Sequence, residues 1–252
     1  MSIKIRNKNA ILELLKDGVA FEKIVLADDL RQDDLTKEIL SIAAEQDILI
    51  EKTPRQRMEK GRSGKNQEVL VGFLIPRNNW SLNDLLDDLS KKNLDPFFLL
   101  MNRVDYSNNI GLIARTAFAA NVNGLIFQGE RDKFLNEETL HFSMGAITRI
   151  PLVKMNIFEA IKELRKNGVK TFSLQMDGMI YFKENLTGPV AFVLGDEGEG
   201  LSEKVSSRCD KKLTIPMRKG INSLNVGISA AIILYEKVHQ EGLDYLTKNS
   251  QN

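Results

Sequence analysis

From residue 97 onward the chain alternates short apolar runs with helix-length amphipathic stretches, and few architectures satisfy that order. Strand candidates at 97–101, 124–127, 170–174, 190–194 and 212–215 are too short for helices and rich in Val, Ile, Leu and Phe. Helix signals fall between them, at 110–120, 137–145, 157–167, 202–209 and 223–240. Strands that alternate with helices form a mostly parallel sheet buried on both faces, because each crossover lays a helix across one face. The expected fold class is α/β. Ligands in such sheets bind in the loops beyond the carboxyl ends of the strands.

The preceding residues carry a smaller set of signals. A helix is expected at 9–16, stopped by Gly18, then a strand at 21–27. An amphipathic helix follows at 33–46 through Leu35, Ile39, Ile42 and Ala43, with strands at 48–50 and 68–75. Ser81 with Asp84 resembles a capping box that opens a helix at 82–89. The polar stretch 91–96 ends in Pro96, which places the expected boundary between a small α/β domain at 1–94 and a larger one at 95–252. Between Lys52 and Lys65 the chain places Lys52, Arg55, Arg57, Lys60, Arg62 and Lys65 against only Glu59, with Gly61 and Gly64 among them. Such a loop can follow a phosphate backbone, and it reads equally well as a solvated charged loop. Arg55, Arg57, Lys60, Arg62 and Lys65 are the candidate contacts to such a backbone.

Composition removes several classes. With 42% hydrophobic and 27% charged residues, the 252-residue chain is globular rather than disordered. No apolar run reaches the roughly 18 residues of a membrane span, and residues 1–7 lack the apolar core of a signal peptide. One cysteine and two histidines exclude an internal disulfide framework and a structural zinc site, so no metal is expected. A reducing cytoplasm fits this composition best. The net charge of +1 means that any nucleic acid must be recognised by local patches.

Three loops of the second half carry chemistry. In the first, 107–117, Asn109 stands where a helix N-cap would be, and Arg115 follows inside an apolar helix. Taken singly, these are a cap and a snorkelling surface cation. The second, 193–201, places Gly195, Gly198 and Gly200 after an apolar strand, with Glu197 among them. Those glycines let backbone approach a ligand closely, but their spacing is not the dinucleotide fingerprint, and an acidic loop repels a pyrophosphate. In the third, a strand ends at Ile215-Pro216-Met217, and Asn222 or Ser223 then opens a long apolar helix through Leu224 and Asn225. A helix so apolar is buried against another element or another subunit.

In this order, N-x-G-x-x-x-R-T at 109–116, L-G-x-E-G-x-G-L at 194–201, and I-P-M followed by S-L-N-V at 215–226 resemble the TrmH (SpoU) family of SPOUT methyltransferases. The resemblance covers about residues 96–239. The leading part is similar to the small ribosomal-protein-like RNA-binding domain that precedes the catalytic domain in ribosomal-RNA members. What this implies is a SPOUT domain with a parallel sheet and a deep trefoil knot, forming a homodimer with each site completed near the subunit interface. It also implies transfer of a methyl group from S-adenosylmethionine to a ribose 2′-hydroxyl of RNA. By motif match, Gly195, Ile215 and Leu224 would contact the cofactor, largely through backbone, with Met217 nearby. Asn109, Arg115, Glu197, Ser223 and Asn225 would surround the reacting ribose. Because a guanidinium keeps its proton in proteins, an electrostatic role on a phosphate and the developing oxyanion suits the arginine better than that of a base.

The chain departs from ribosomal-RNA members at three places. A common D-P-x-N becomes Tyr106-Ser107-Asn108-Asn109, a His-Gln-Gly becomes Asn66-Gln67-Glu68, and an acid after Gly145-Ala146 becomes Thr148. These departures bear on substrate identity rather than on activity. The leading expectation is a 2′-O-methyltransferase of 23S (large-subunit) ribosomal RNA. The alternatives are a tRNA 2′-O-methyltransferase and an inactive RNA-binding ribosome-assembly factor.

Overall fold

The computed structural model describes residues 2–31, 33–58, 69–75, 80–196, 198–221, 223–242 and 244–248. The leading unit contains β1 (Ile3–Ile5), α1 (Lys8–Lys16), β2 (Phe21–Ala27), α2 (Asp34–Glu45), β3 (Leu49–Thr53) and β4 (Leu70–Leu74). Its strands lie in the order β1-β4-β2-β3, with β2 and β3 parallel and the β4 pairings antiparallel. Ile11, Leu14, Leu15 and Ile39 of the helices bury one face of this sheet together with Phe21, Ile24 and Leu74. Asn7 caps α1 and Asp33 caps α2, each accepting a backbone N–H three residues on. Strand β1 was not expected: three residues have no readable period, and only pairing with β4 makes them a strand.

α3 (Leu82–Lys91) opens on Ser81, whose hydroxyl accepts the Asp84 N–H at 3.1 Å. Its Leu82, Leu85, Leu86 and Leu89 pack with Phe98, Leu100 and Ile126 of the second sheet. α3 thus packs on the sheet of the larger unit, although it precedes the expected boundary after residue 94. Polar composition marked a solvated turn, whereas burial of the α3 leucines decides which core the helix joins.

The larger unit continues with β5 (Phe97–Met101), α4 (Ser107–Ala119), β6 (Gly124–Phe127), α5 (Arg131–Phe134), α6 (Glu137–Ser143), β7 (Leu152–Lys154), α7 (Ile157–Lys166) and β8 (Lys170–Ile180). Then come β9 (Val190–Leu194), α8 (Glu203–Ser206), β10 (Lys211–Thr214), α9 (Val226–Glu241) and α10 (Asp244–Lys248). All strands of its sheet are parallel, in the order β10-β8-β9-β5-β6-β7. Both faces are covered, and β5 shows why an uninterrupted apolar run was needed there. Phe97, Leu99 and Met101 face the cluster containing Ile113 and Ala117 of α4 and Ile233 of α9, while Phe98 and Leu100 face α3 and α7.

Two helix starts differ from expectation, and both differences matter. α4 begins at Ser107, so Asn109 lies within its first turn and is 2% exposed rather than capping it. α9 begins at Val226 and is capped by Asn225, whose Oδ1 accepts the Gly227 and Ile228 N–H groups. That leaves Ser223 and Leu224 outside the helix. β8 is also longer than expected: Lys212 pairs with Ser173 but Leu213 pairs with Met179, so residues 174–178 bulge out between them. A Cβ on Gly178 would lie 2.5 Å from the Leu213 carbonyl carbon, so only glycine permits this approach.

The two units meet along α1 and α6. Leu14 packs against Gly145, and ion pairs join Arg6 to Glu137 and Asp17 to Arg149. Within the larger unit, Lys237 of α9 is fully buried. Its ammonium donates to the Gly188 carbonyl at 2.9 Å and to Glu241 at 2.6 Å. Burial pushes its pKa down, with Glu241 acting in the opposite direction.

Candidate active site

A cavity of about 430 Å³ opens beyond the carboxyl ends of β8, β9 and β10, where ligand sites of parallel sheets are found. Its first wall is the glycine loop. A Cβ on Gly195 would overlap the Gly200 carbonyl carbon, so the loop folds back on itself only because residue 195 has no side chain. The turn is held by the Gly200 N–H on the Asp196 carbonyl at 3.0 Å and by the Gly198 N–H on Asp196 Oδ1 at 2.7 Å.

The second wall is the exit of β10. Thr214 donates to the Met176 carbonyl at 3.1 Å, and Ile215 and Met217 line the cavity beyond it. The third is the segment ahead of α9, where Ser223 and Leu224 line the cavity because the helix has not yet begun. The fourth is the β8 bulge, which the sequence reading missed. Gln175 Nε2 donates to the Leu201 carbonyl at 3.1 Å, which orients the amide, and its buried Oε1 has no partner among the described residues. Gly178, shortly after the strand candidate at 170–174, was the available signal. The walls are mainly apolar, with the acids Asp177, Asp196 and Glu199 among the lining residues. Apolar walls, exposed backbone groups and one unpaired amide acceptor suit an aromatic amine such as adenine, and the acids suit an ammonium group.

Of the expected site residues, Gly195, Ile215, Met217, Ser223 and Leu224 come together around this cavity. Asn109 and Asn225 pair directly, Asn225 Nδ2 donating to Asn109 Oδ1 at 2.9 Å. Val226, the residue after Asn225, lines the cavity, so the amide pair stands at its edge. Arg115 is not brought to the cavity of its own chain. It projects from an exposed stripe of α4 between Leu112, 43% exposed, and Phe118, 40% exposed. Ile228 and Tyr235 of the neighbouring α9 are exposed as well. Glu197, Asn222, Lys60, Arg62 and Lys65 lie outside the described residues. Of the remaining basic candidates, Arg55 holds Asp29 at 2.9 Å and Arg57 is exposed. Among the described residues no group of His, Cys, Asp and Glu could hold a metal ion, and no helix is long and apolar enough to cross a membrane.

Comparisons with known proteins agree with this geometry. Residues 96–235 match the model of the SpoU rRNA Methylase family, and residues 8–73 match the model for RNA 2′-O ribose methyltransferase substrate binding. YacO of Bacillus subtilis, named for the TrmH family of tRNA/rRNA methyltransferases, is 29% identical over 91% of this chain and 92% of its own. A Staphylococcus haemolyticus protein named for the same family is 27% identical over 95% and 98% of the two chains. Among solved structures, the SpoU methyltransferase AviRb of Streptomyces viridochromogenes, in complex with AdoMet, superposes with a TM-score of 0.75 at 21% identity, over 95% of this chain and 90% of that one. An AdoMet-bound rRNA methyltransferase of Sinorhizobium meliloti gives 0.72 at 22% identity, over 93% and 86%. A tRNA-modifying TrmH/SpoU enzyme of A. aeolicus gives 0.55 at 24% identity, over 68% of this chain and 90% of its own.

Proposed function

The chain belongs to the SpoU (TrmH) family of RNA ribose 2′-O-methyltransferases, and we propose that it methylates large-subunit (23S) ribosomal RNA with S-adenosylmethionine as donor. The carrying observation is the cavity closed by Gly195 with the Asn109–Asn225 pair at its edge. When bound, the sulfonium supplies an electrophilic methyl group to the ribose oxygen. Backbone groups of Gly195, Ile215 and Leu224 would hold the donor, and Gln175 Oε1 would be the acceptor available to its amino group. The Asn109–Asn225 pair and Ser223 orient the ribose hydroxyls, with Glu197 assigned beside them by motif.

Arg115 acts on a phosphate and on the charge developing at the 2′-oxygen. Its exposed position fits a homodimer in which the α4–α9 face meets a second copy and each site is completed at the interface. The same family reading carries a trefoil knot in the larger unit and a reaction in the cytoplasm. Arg55, Arg57, Lys60, Arg62 and Lys65 are the cations assigned to the RNA backbone.

The leading domain supports ribosomal RNA over tRNA. Neighbours spanning both units include an rRNA methyltransferase, whereas the tRNA-modifying neighbour spans 68% of the chain. The retained Asn109, Arg115, Ser223 and Asn225 support an active enzyme over an assembly factor. Incubation with methyl-labelled S-adenosylmethionine and, separately, ribosomal RNA, ribosomal subunits and tRNA tests the reading, with 2′-O-sensitive primer extension locating the label. Label confined to tRNA would replace the substrate. Donor binding without transfer to any RNA would favour the assembly-factor reading.

A further inference from the structure

The connection from β5 to α4, residues 102–106, leads from the glycine loop towards the amide pair. At its start the Asn102 N–H donates to the Leu194 carbonyl, the last residue of β9, at 2.9 Å. Arg103 then adopts a left-handed φ of 61°, a conformation that a side chain of this size rarely takes. Its guanidinium lies 3.8 Å from Glu199 of the glycine loop, with the two side chains 71% and 84% exposed. Such an exposed, long pair is weak and exchanges readily for a phosphate. The connection ends at Tyr106, one turn of helix before Asn109. Tyr106 is 66% exposed, and its side chain makes no hydrogen bond to cap α4.

A lone exposed aromatic is ordinary on a protein surface. This one shares a short connection with a strained cation, and the connection is fixed at one end on the cofactor wall and at the other on the residue proposed to hold the ribose. Strain held at such a place is a marker of function. An aromatic face beside a loosely held guanidinium matches a nucleotide, a flat base attached to a phosphate.

We propose that Tyr106 is a stacking platform for an unpaired base of the substrate RNA beside the acceptor ribose, with Arg103 turned to a neighbouring phosphate. This rests on the ribose-methylation reading and adds the recognition of a base to it. Stacking makes the RNA present a single-stranded or flipped nucleotide, since a paired base has no free face.

The test titrates the whole protein with a short fluorescent oligoadenylate and with an abasic ribose–phosphate oligomer of equal length. Y106A should weaken oligoadenylate binding roughly 5- to 100-fold, leave the abasic oligomer unchanged and leave S-adenosylmethionine affinity intact. Y106F should bind as wild type. R103A should instead weaken both oligomers and flatten the salt dependence. Equal loss on both oligomers for Y106A, no loss on either, or no measurable wild-type preference for the oligomer with bases would overturn the proposal. The titrations need no turnover, so failure of methyl transfer would count against the ribose-methylation reading and not against this comparison.

Discussion

Asn225 performs two tasks with one amide. Its oxygen caps α9 and its nitrogen reaches Asn109. Substitutions can separate them: Asn225→Ser keeps a capping oxygen but loses the donor, so methylation should fall by at least tenfold while stability in urea stays close to wild type. Asn225→Ala should lose both, at about 1 kcal/mol of stability. Gly195 is constrained more sharply, because a Cβ there meets backbone rather than a movable side chain. Gly195→Ala should abolish binding of S-adenosylmethionine measured by calorimetry; retained affinity would mean that the loop is not the cofactor wall. Arg115→Ala should leave that affinity intact and eliminate transfer.

At the scale of elements, what could be read in advance was what periodicity controls. The fully apolar β5, the capping of α3 by Ser81 and the alternation of strands with helices follow from local pattern and burial. What could not be read depends on partners distant in sequence. The β8 bulge exists because β10 arrives beside Gly178, and Asn109 leaves the capping role because Asn225 meets it. The motif residues were legible as a family pattern, yet Gln175, which belongs to no quoted motif, was not.

Charge at helix ends gives a pH test at this same scale. Hydrogen bonds from Thr36, side chain and backbone, together with Lys8, hold the Asp33 carboxyl below the usual carboxylate range, at about 2. A depressed acid contributes stability above its unfolded pKa and loses it as pH falls through the folded one. Thermal stability should therefore decline between pH 4 and 2, and Asp33→Asn, which still caps, should flatten that part of the profile. Near the far end of α9, Lys237→Ala would leave the partly buried Glu241 without its cation, holding only the Gly188 N–H, and two carbonyls without this donor, at about 3 kcal/mol in urea unfolding.

Across the whole molecule, the leading unit rests on the larger one through Leu14 and the pairs Arg6–Glu137 and Asp17–Arg149. The paired side chains are partly exposed, so each pair contributes little alone. Removing both carboxylates, as Asp17→Asn with Glu137→Gln, should speed amide hydrogen exchange along α1 and α6 and leave donor affinity unchanged. The exposed α4–α9 face gives a further test at this scale. Phe118→Glu with Ile228→Glu should yield a monomer by light scattering that binds donor but transfers no methyl group. An unchanged dimer would place the subunit contact elsewhere.

α9 is fastened at both ends: its first turn carries the amide pair, and its last turns are bolted to residues 184–188 by Lys237, Gln240 and Glu241. Sixteen residues of helix make a rigid rod roughly 24 Å long. For anyone attaching a dye, a bead or a fusion partner, the distant end of this rod is a poor anchor, because a tug there is delivered to the amide pair at the cavity's edge.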